Sequence, residues 1–143
     1  MRLLGIDYGD KRIGIAISDP LGSFALGVAV VGKGNTFDKD LAEINQVIKK
    51  FDGVNGIVVG LPKKMSGELG IQAEKVLRFV DYIKEKLRVP IYTWDERLST
   101  KEAERALKDA GLNSRKIRKV VDKSAAANIL QSYLDYKKHE NNT

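Results

Sequence analysis

Leu3-Leu4-Gly5-Ile6-Asp7-Tyr8-Gly9-Asp10-Lys11-Arg12-Ile13-Gly14-Ile15-Ala16-Ile17-Ser18 is the stretch that decides the fold. Residues 2–7 and 12–18 are short runs rich in Leu and Ile, and the polar Tyr8-Gly9-Asp10-Lys11 between them reads as a tight turn joining two antiparallel strands. A third run, Ala25 to Val31, follows the turn signal Asp19-Pro20-Leu21-Gly22, so the chain opens with a three-stranded meander. Phe37, Leu41, Ile44, Ile48 and Phe51 then recur at helical spacing and predict an amphipathic helix that stops before Gly53. Gly56-Ile57-Val58-Val59-Gly60 is apolar throughout, as expected of a central strand covered on both faces. Leu69, Ala73, Val76, Val80, Ile83 and Leu87 mark a second helix, and Pro90 opens a short strand through Trp94. Ser99-Thr100-Lys101-Glu102 is a capping box heading a helix that ends at Gly111, and a last helix runs from about Val121 to Lys137 with Ala126, Ile129 and Tyr133 on its buried stripe. Right-handed strand-helix-strand crossovers place the later strands parallel to the first. The expectation is an α/β sandwich: a five-stranded mixed sheet, three antiparallel strands followed by parallel ones, with helices on both faces.

At 143 residues the chain supplies one domain, expected over residues 1–138 with a polar tail at 139–143. It has no Cys, which excludes disulfides, thiolate nucleophiles and Cys-containing zinc sites and suits a reducing cytoplasm. The single His, His139, lies in the tail, so Ser-His-Asp catalysis and His-rich metal sites lack material. Any chemistry must come from carboxylates and basic residues. The start Met1 to Asp7 reaches an acid before it could form the apolar stretch of a secretory signal, and no stretch approaches the length of a membrane span, so neither export nor a membrane partner is expected. A net charge of +6 favours anionic partners, and residues 114–123 concentrate it, with Arg115, Lys116, Arg118, Lys119 and Lys123 against Asp122 alone.

Four acids are placed where a ligand could meet them. Asp7 ends the first strand, either as a rim acid or as a turn aspartate bonding backbone N–H groups. Asp95 and Glu96 follow the last strand, at the carboxyl ends where open α/β sheets bind ligands; they read equally as an acidic pair leading a helix. Asp122 extends the buried face of the last helix by one turn toward that rim, or serves as its N-terminal acid. Carboxylates converging from separate elements would repel one another and call for divalent cations, and oxygen-only ligation suits Mg²⁺ or Mn²⁺. Two such ions can activate a water and stabilise the leaving oxygen of a phosphodiester. Spacing does not by itself establish the convergence.

Asp7-Tyr8-Gly9-Asp10-Lys11-Arg12-Ile13-Gly14-Ile15-Ala16-Ile17-Ser18-Asp19 closely resembles the opening of the YqgF family, also described as RuvX or as Holliday-junction resolvases of the ribonuclease H-like fold. Gly60-Leu61-Pro62 with Gly67, then Asp95-Glu96-Arg97-Leu98-Ser99-Thr100, then Asp122-Lys123-Ser124-Ala125-Ala126 with Ile129-Leu130, match its later motifs in order, over roughly residues 3 to 136. The resemblance implies a ribonuclease H-like nuclease domain with Asp7, Glu96 and Asp122 as catalytic, metal-binding acids, and Asp95 as a competing ligand beside Glu96. Arg12 and Arg97 beside the acids, and Lys63 and Lys64 in the loop before the second helix, are candidate phosphate contacts or charge-balancing partners. Arg115, Lys116, Arg118 and Lys119 would hold the nucleic-acid backbone. Tyr8 and Trp94 could stack on bases, although aromatics in or beside strands more often fill cores.

Gly27-Val28-Ala29-Val30-Val31-Gly32-Lys33-Gly34 almost spells a phosphate-binding P-loop, but Gly stands where Ser or Thr would bind Mg²⁺, and its middle reads as a strand. The opening hairpin also resembles that of sugar kinases and actin-like ATPases, which clamp a nucleotide between two domains where this chain has one. Three functions compete. The resemblance most suggests metal-dependent 5′-end maturation of precursor 16S ribosomal RNA; analogy of fold suggests resolution of Holliday junctions; and, if the acids are structural, the chain would bind nucleic acid without cleaving it. With one apolar face per helix, which the sheet can occupy, a monomer is expected.

Overall fold

The side chains of Leu3–Tyr8 (β1) divide by parity between two apolar environments. Leu4, Ile6 and Tyr8 point into a core with Leu41, Ile44, Val76 and Phe79, whereas Leu3 joins Ala16, Val58, Ile129 and Leu130 on the other side. A strand buried on both faces must lie inside a sheet that is itself covered on both faces.

The computed structural model describes residues 1–98 and 125–141 and shows that arrangement. β1 is followed by Arg12–Ser18 (β2) and Ala25–Gly32 (β3), and then by the helix Phe37–Lys50 (α1). Gly56–Leu61 (β4), Ile71–Lys86 (α2), Ile91–Asp95 (β5) and Ala125–Asn141 (α3) complete the order. The five strands form one sheet in the order β3-β2-β1-β4-β5, antiparallel from β1 to β3 and parallel from β1 through β4 to β5. This is the expected mixed sheet of a ribonuclease H-like fold. α1 and α2 cover one face and α3 the other. The near P-loop at 27–34 begins as strand β3, as its β-branched middle required.

Boundaries differ from expectation at a few points. α2 starts at Ile71, and Leu69 is exposed ahead of it rather than on the buried stripe. β5 takes in Asp95, so only Glu96 follows the strand. Residues 139–141, expected in a tail, continue α3. The expected helix from Ser99 to Gly111, the basic linker Gly111 to Lys119 and the start of the last helix lie outside the described residues.

The end of β1 is fastened to α1 by a buried polar contact. The Tyr8 hydroxyl donates to Asp40 Oδ2 at 2.6 Å, and the Gly34 N–H donates to Oδ1 at 2.7 Å, with Asp40 only 1% exposed. Burial, then the hydrogen bond and charge of Asp40, push the Tyr8 phenol well above its ordinary value, so it stays a donor at all working pH. Tyr8→Phe should therefore leave a buried carboxylate short of a donor and lower stability by about 1–3 kcal/mol. A thermal melt should fall by roughly 3 °C per kcal/mol at this chain length.

Candidate functional site

Parallel pairing brings the carboxyl ends of β1, β4 and β5 to one rim. Ile6 pairs with Val59, and Gly60 pairs with Trp94, so the next step along the rim sets Asp7 beside Gly60 and Glu96 just past the end of β5. Asp7 and Glu96 lie far apart in the chain, yet their carboxyl groups are hydrogen-bonded to each other.

Two carboxyls can share a hydrogen bond only if one carries a proton. Burial raises both above their ordinary values. At Asp7 the hydrogen bond with Glu96 partly offsets the effect of burial. Glu96 is pushed up to about 7 by burial first, then by the charge of Asp7, the bond to it and the charge of Asp95. The pair therefore holds one proton between its two carboxyls at neutral pH and below.

The neighbouring acid behaves in the opposite way. The Arg97 guanidinium embraces Asp95, with Nε at 3.1 and 3.0 Å from its two oxygens and Nη2 at 2.6 Å from Oδ2, and the Arg97 backbone N–H adds a bond of 3.0 Å to Oδ1. These bonds hold the Asp95 carboxyl below the usual range, with a smaller contribution from the charge of Lys63. Arg97 Nη1 also donates to the Met65 carbonyl at 3.2 Å, which straps the loop before α2 to the end of β5. The choice left open by the sequence thus separates in space: Glu96 meets Asp7, and Asp95 meets Arg97.

Asp7 borders two hollows. One, of about 270 Å³, is lined by Gly60, Pro62, Gln72 and Glu96; the other, of about 790 Å³, runs past Lys11 and Arg12 over Gly14, Leu26 and Ala126. Arg12, exposed at the start of β2, lines the larger hollow with Asp7, and half-buried Lys63 lies near enough for its charge to act on Asp95, whereas Lys64 is exposed with its stem against Gly70 ahead of α2. Asp122, Arg115, Lys116, Arg118 and Lys119 lie outside the described residues. Tyr8 and Trp94 are core residues: Tyr8 stacks on Phe79 at 4.0 Å, and the Trp94 indole N–H donates to Ser132 Oγ at 3.0 Å. Gln72 was not legible in the pattern, because a polar residue in the first turn of a helix carries no signal of its own. Its Nε2 donates at 3.3 Å to the Tyr8 carbonyl and holds the strand end that carries Asp7.

The donor set fits a hard divalent cation. Two carboxyls brought together at a half-buried rim are compatible only with a shared proton or with a positive ion in its place, and oxygen donors suit Mg²⁺ or Mn²⁺. Among the described residues no group of three metal-ligating side chains occurs.

The raised acids set a pH dependence. Because the folded state holds the Glu96 proton more tightly than the unfolded chain, metal-free stability should fall as pH rises from the ordinary value of 4.5 to about 7, then level off. Between pH 5 and pH 8 in EDTA the loss should be of order 2 kcal/mol, and Glu96→Gln should remove it. Urea denaturation of both proteins at the two pH values checks this; equal slopes with pH would contradict it.

Comparison with known proteins covers nearly the whole chain. The family model described as "RuvX: Holliday junction resolvase" matches residues 1–136. A protein of Desulforamulus reducens named "Putative pre-16S rRNA nuclease" is 51% identical over 135 residues, which cover 94% of this chain and 97% of that one. A Clostridium botulinum protein of the same name is 53% identical over 135 residues, with the same coverage of both chains. Among solved structures, T. thermophilus RuvC in complex with a Holliday junction substrate superposes with a TM-score of 0.63 at 19% identity, over 98% of this chain and 96% of that one. At that identity the likeness is one of fold.

Proposed function

This chain belongs to the RuvX family, and from that membership we propose that it is a metal-dependent endonuclease that cleaves phosphodiester bonds of structured nucleic acid, its substrate being the 5′ end of precursor 16S ribosomal RNA. The observation that carries the reading is the Asp7–Glu96 carboxyl pair at the sheet rim, bordering two hollows with basic residues around them. The names of the half-identical relatives favour ribosomal RNA as substrate.

Asp7 and Glu96, with Asp122 as the third acid, would hold Mg²⁺ or Mn²⁺. When bound, the cations would neutralise these acids, lower the pKa of a water and stabilise the leaving oxygen, as two-ion sites do for phosphodiesters. The chain's own part is positional and electrostatic. The pair must give up the proton it shares, which turns a carboxyl hydrogen-bonded to a carboxylate into four oxygen acceptors. Gln72 and the Tyr8–Asp40 bond hold the end of β1, so that Asp7 stays in place when that proton leaves. Arg12, Lys63 and Lys64 would contact backbone phosphates on either side of the pair, and Arg115, Lys116, Arg118 and Lys119 would extend that contact. Arg97 keeps Asp95 out of the pair and would meet substrate only through the nitrogens Asp95 leaves available.

Resolution of a four-way DNA junction is the second reading, favoured by the description of the family model. Junction cleavage calls for two sites related by a two-fold axis, whereas trimming an RNA end needs one, so the first reading carries a monomer in the cytoplasm with it. The deciding test sets purified protein against precursor ribosomal RNA and a four-way junction side by side, with Mg²⁺, Mn²⁺ or EDTA, and measures its mass by sedimentation. RNA cleavage by a monomer, lost in EDTA, is the expected result. Paired cuts in the junction by a dimer would replace it with the second reading, and binding without cleavage of either would reduce the chain to a binding module.

A further inference from the structure

Gly60, in the Gly-Leu-Pro motif at the end of β4, stands on the strand that separates the two acid-bearing strands β1 and β5. A Cβ built on it would lie 2.8 Å from Glu96 Oε1, so that the carboxyl end would have to swing aside, and 3.0 Å from Glu96 Cγ, a tight contact that pushes the same way. It would also lie 2.5 Å from Cδ1 of Ile129, whose side chain is buried beneath α3. The backbone imposes no need for glycine here, since Gly60 is not among the residues with positive φ. The need is spatial. Its strand neighbour in register, Trp94, directs the chain into Glu96, and the space above Gly60 is the space that the Glu96 side chain crosses to reach Asp7. In a sheet, alternate residues of neighbouring strands share a face, so any side chain at this position would project into the Glu96 carboxyl.

We propose that Gly60 is a positioning residue: the gap left by its missing side chain is the berth of the Glu96 carboxyl, and it fixes the distance between Glu96 and Asp7 at which the two hold one cation. The inference rests on the reading of Asp7 and Glu96 as cation ligands. Mutual contact with Ile129 means that Gly60→Ala alone would disturb packing as well as the acid, so the informative protein is the double variant Gly60→Ala/Ile129→Val. Val lacks the Cδ1 methyl and relieves the clash with α3 while the clash with Glu96 remains.

Mn²⁺ binding to the full-length protein, measured by titration calorimetry without substrate, reads the effect independently of cleavage. Ile129→Val should bind as wild type. Gly60→Ala/Ile129→Val should melt within a few degrees of Ile129→Val yet bind Mn²⁺ about ten- to a hundredfold more weakly, the range found when a ligand loses its orienting partner. In a Glu96→Gln background the Gly60 change should add nothing, because its effect passes through that side chain. Binding that needs Asp7 and Glu96 but is indifferent to Gly60→Ala/Ile129→Val would overturn this inference alone. Equal weakening in the Glu96→Gln background would also overturn it, as a packing effect. Wild-type protein that does not bind Mn²⁺, or that binds it equally well as Asp7→Asn, would overturn the ligand reading and this inference with it.

Discussion

Asp7→Asn should abolish nucleic-acid cleavage while leaving the fold intact. The change removes a charge and one acceptor oxygen at nearly constant shape, and the side chain sits on the sheet rim rather than in either core. Loss of a residue that merely orients a metal ligand costs ten- to a hundredfold, so loss of a ligand from the pair should exceed about a hundredfold in turnover. The melt should stay level or rise, because the neutral amide no longer competes with Glu96 for a proton. Glu96→Gln should match it. Asp95→Asn should not: it releases Arg97 and loosens the strap to Met65, giving weaker substrate binding with turnover reduced far less. Single-turnover cleavage by the three variants in Mg²⁺ decides the matter. Activity lost in Asp95→Asn and kept in Glu96→Gln would move the site to the neighbouring residue.

Gly5→Val should cause a large loss of stability. A Cβ on Gly5 would stand 2.7 Å from Leu130 Cβ and 3.0 Å from the Ala126 carbonyl, and both contacts belong to the body of α3 rather than to a flexible side-chain end. Neither neighbour can give way without lifting the helix from β1. Overpacking of this kind costs about 1–3 kcal/mol and more where backbone is involved, so the melt should drop by about 10 °C. Gly32→Ala, at a position with no atom within 4 Å of the added carbon, is the matched control and should change little. If Gly5→Val melts with the control, α3 does not lie on the sheet as closely as described.

The meander, the two parallel strands and both helices of the first core were legible because each is announced by apolar spacing that survives in one dimension: Leu4-x-Ile6 and Ile13-x-Ile15-x-Ile17 alternate, and Leu41, Ile44 and Ile48 follow helical spacing. The acids at the rim were legible as positions, since topology alone carries Asp7 and Glu96 to the same edge. What each acid does was not. Asp95 and Glu96 are adjacent and chemically alike, yet one meets Arg97 and the other is buried against Asp7, and these surroundings give them opposite pKa shifts. The role of Gly60 was hidden for a related reason: a missing side chain has no pattern, and its meaning depends on what fills the space. Gln72 and Asp40 likewise show their function only through partners distant in the chain.

The parallel register that joins β1 to β4 and β4 to β5 also governs when the site comes into being. Asp7 is made well before Glu96, and the carboxyl pair cannot form until β4 has paired beside β1, α2 has crossed over the sheet and β5 has added its edge. Pairings this distant are slow, because the chain must close long loops before any contact repays the lost freedom. A ribosome-bound chain whose emerged portion stops at α2 would carry Asp7 alone, unable to make the carboxyl pair. The pair is thus a marker of folding: its appearance reports that the parallel half of the sheet, β1, β4 and β5, has assembled.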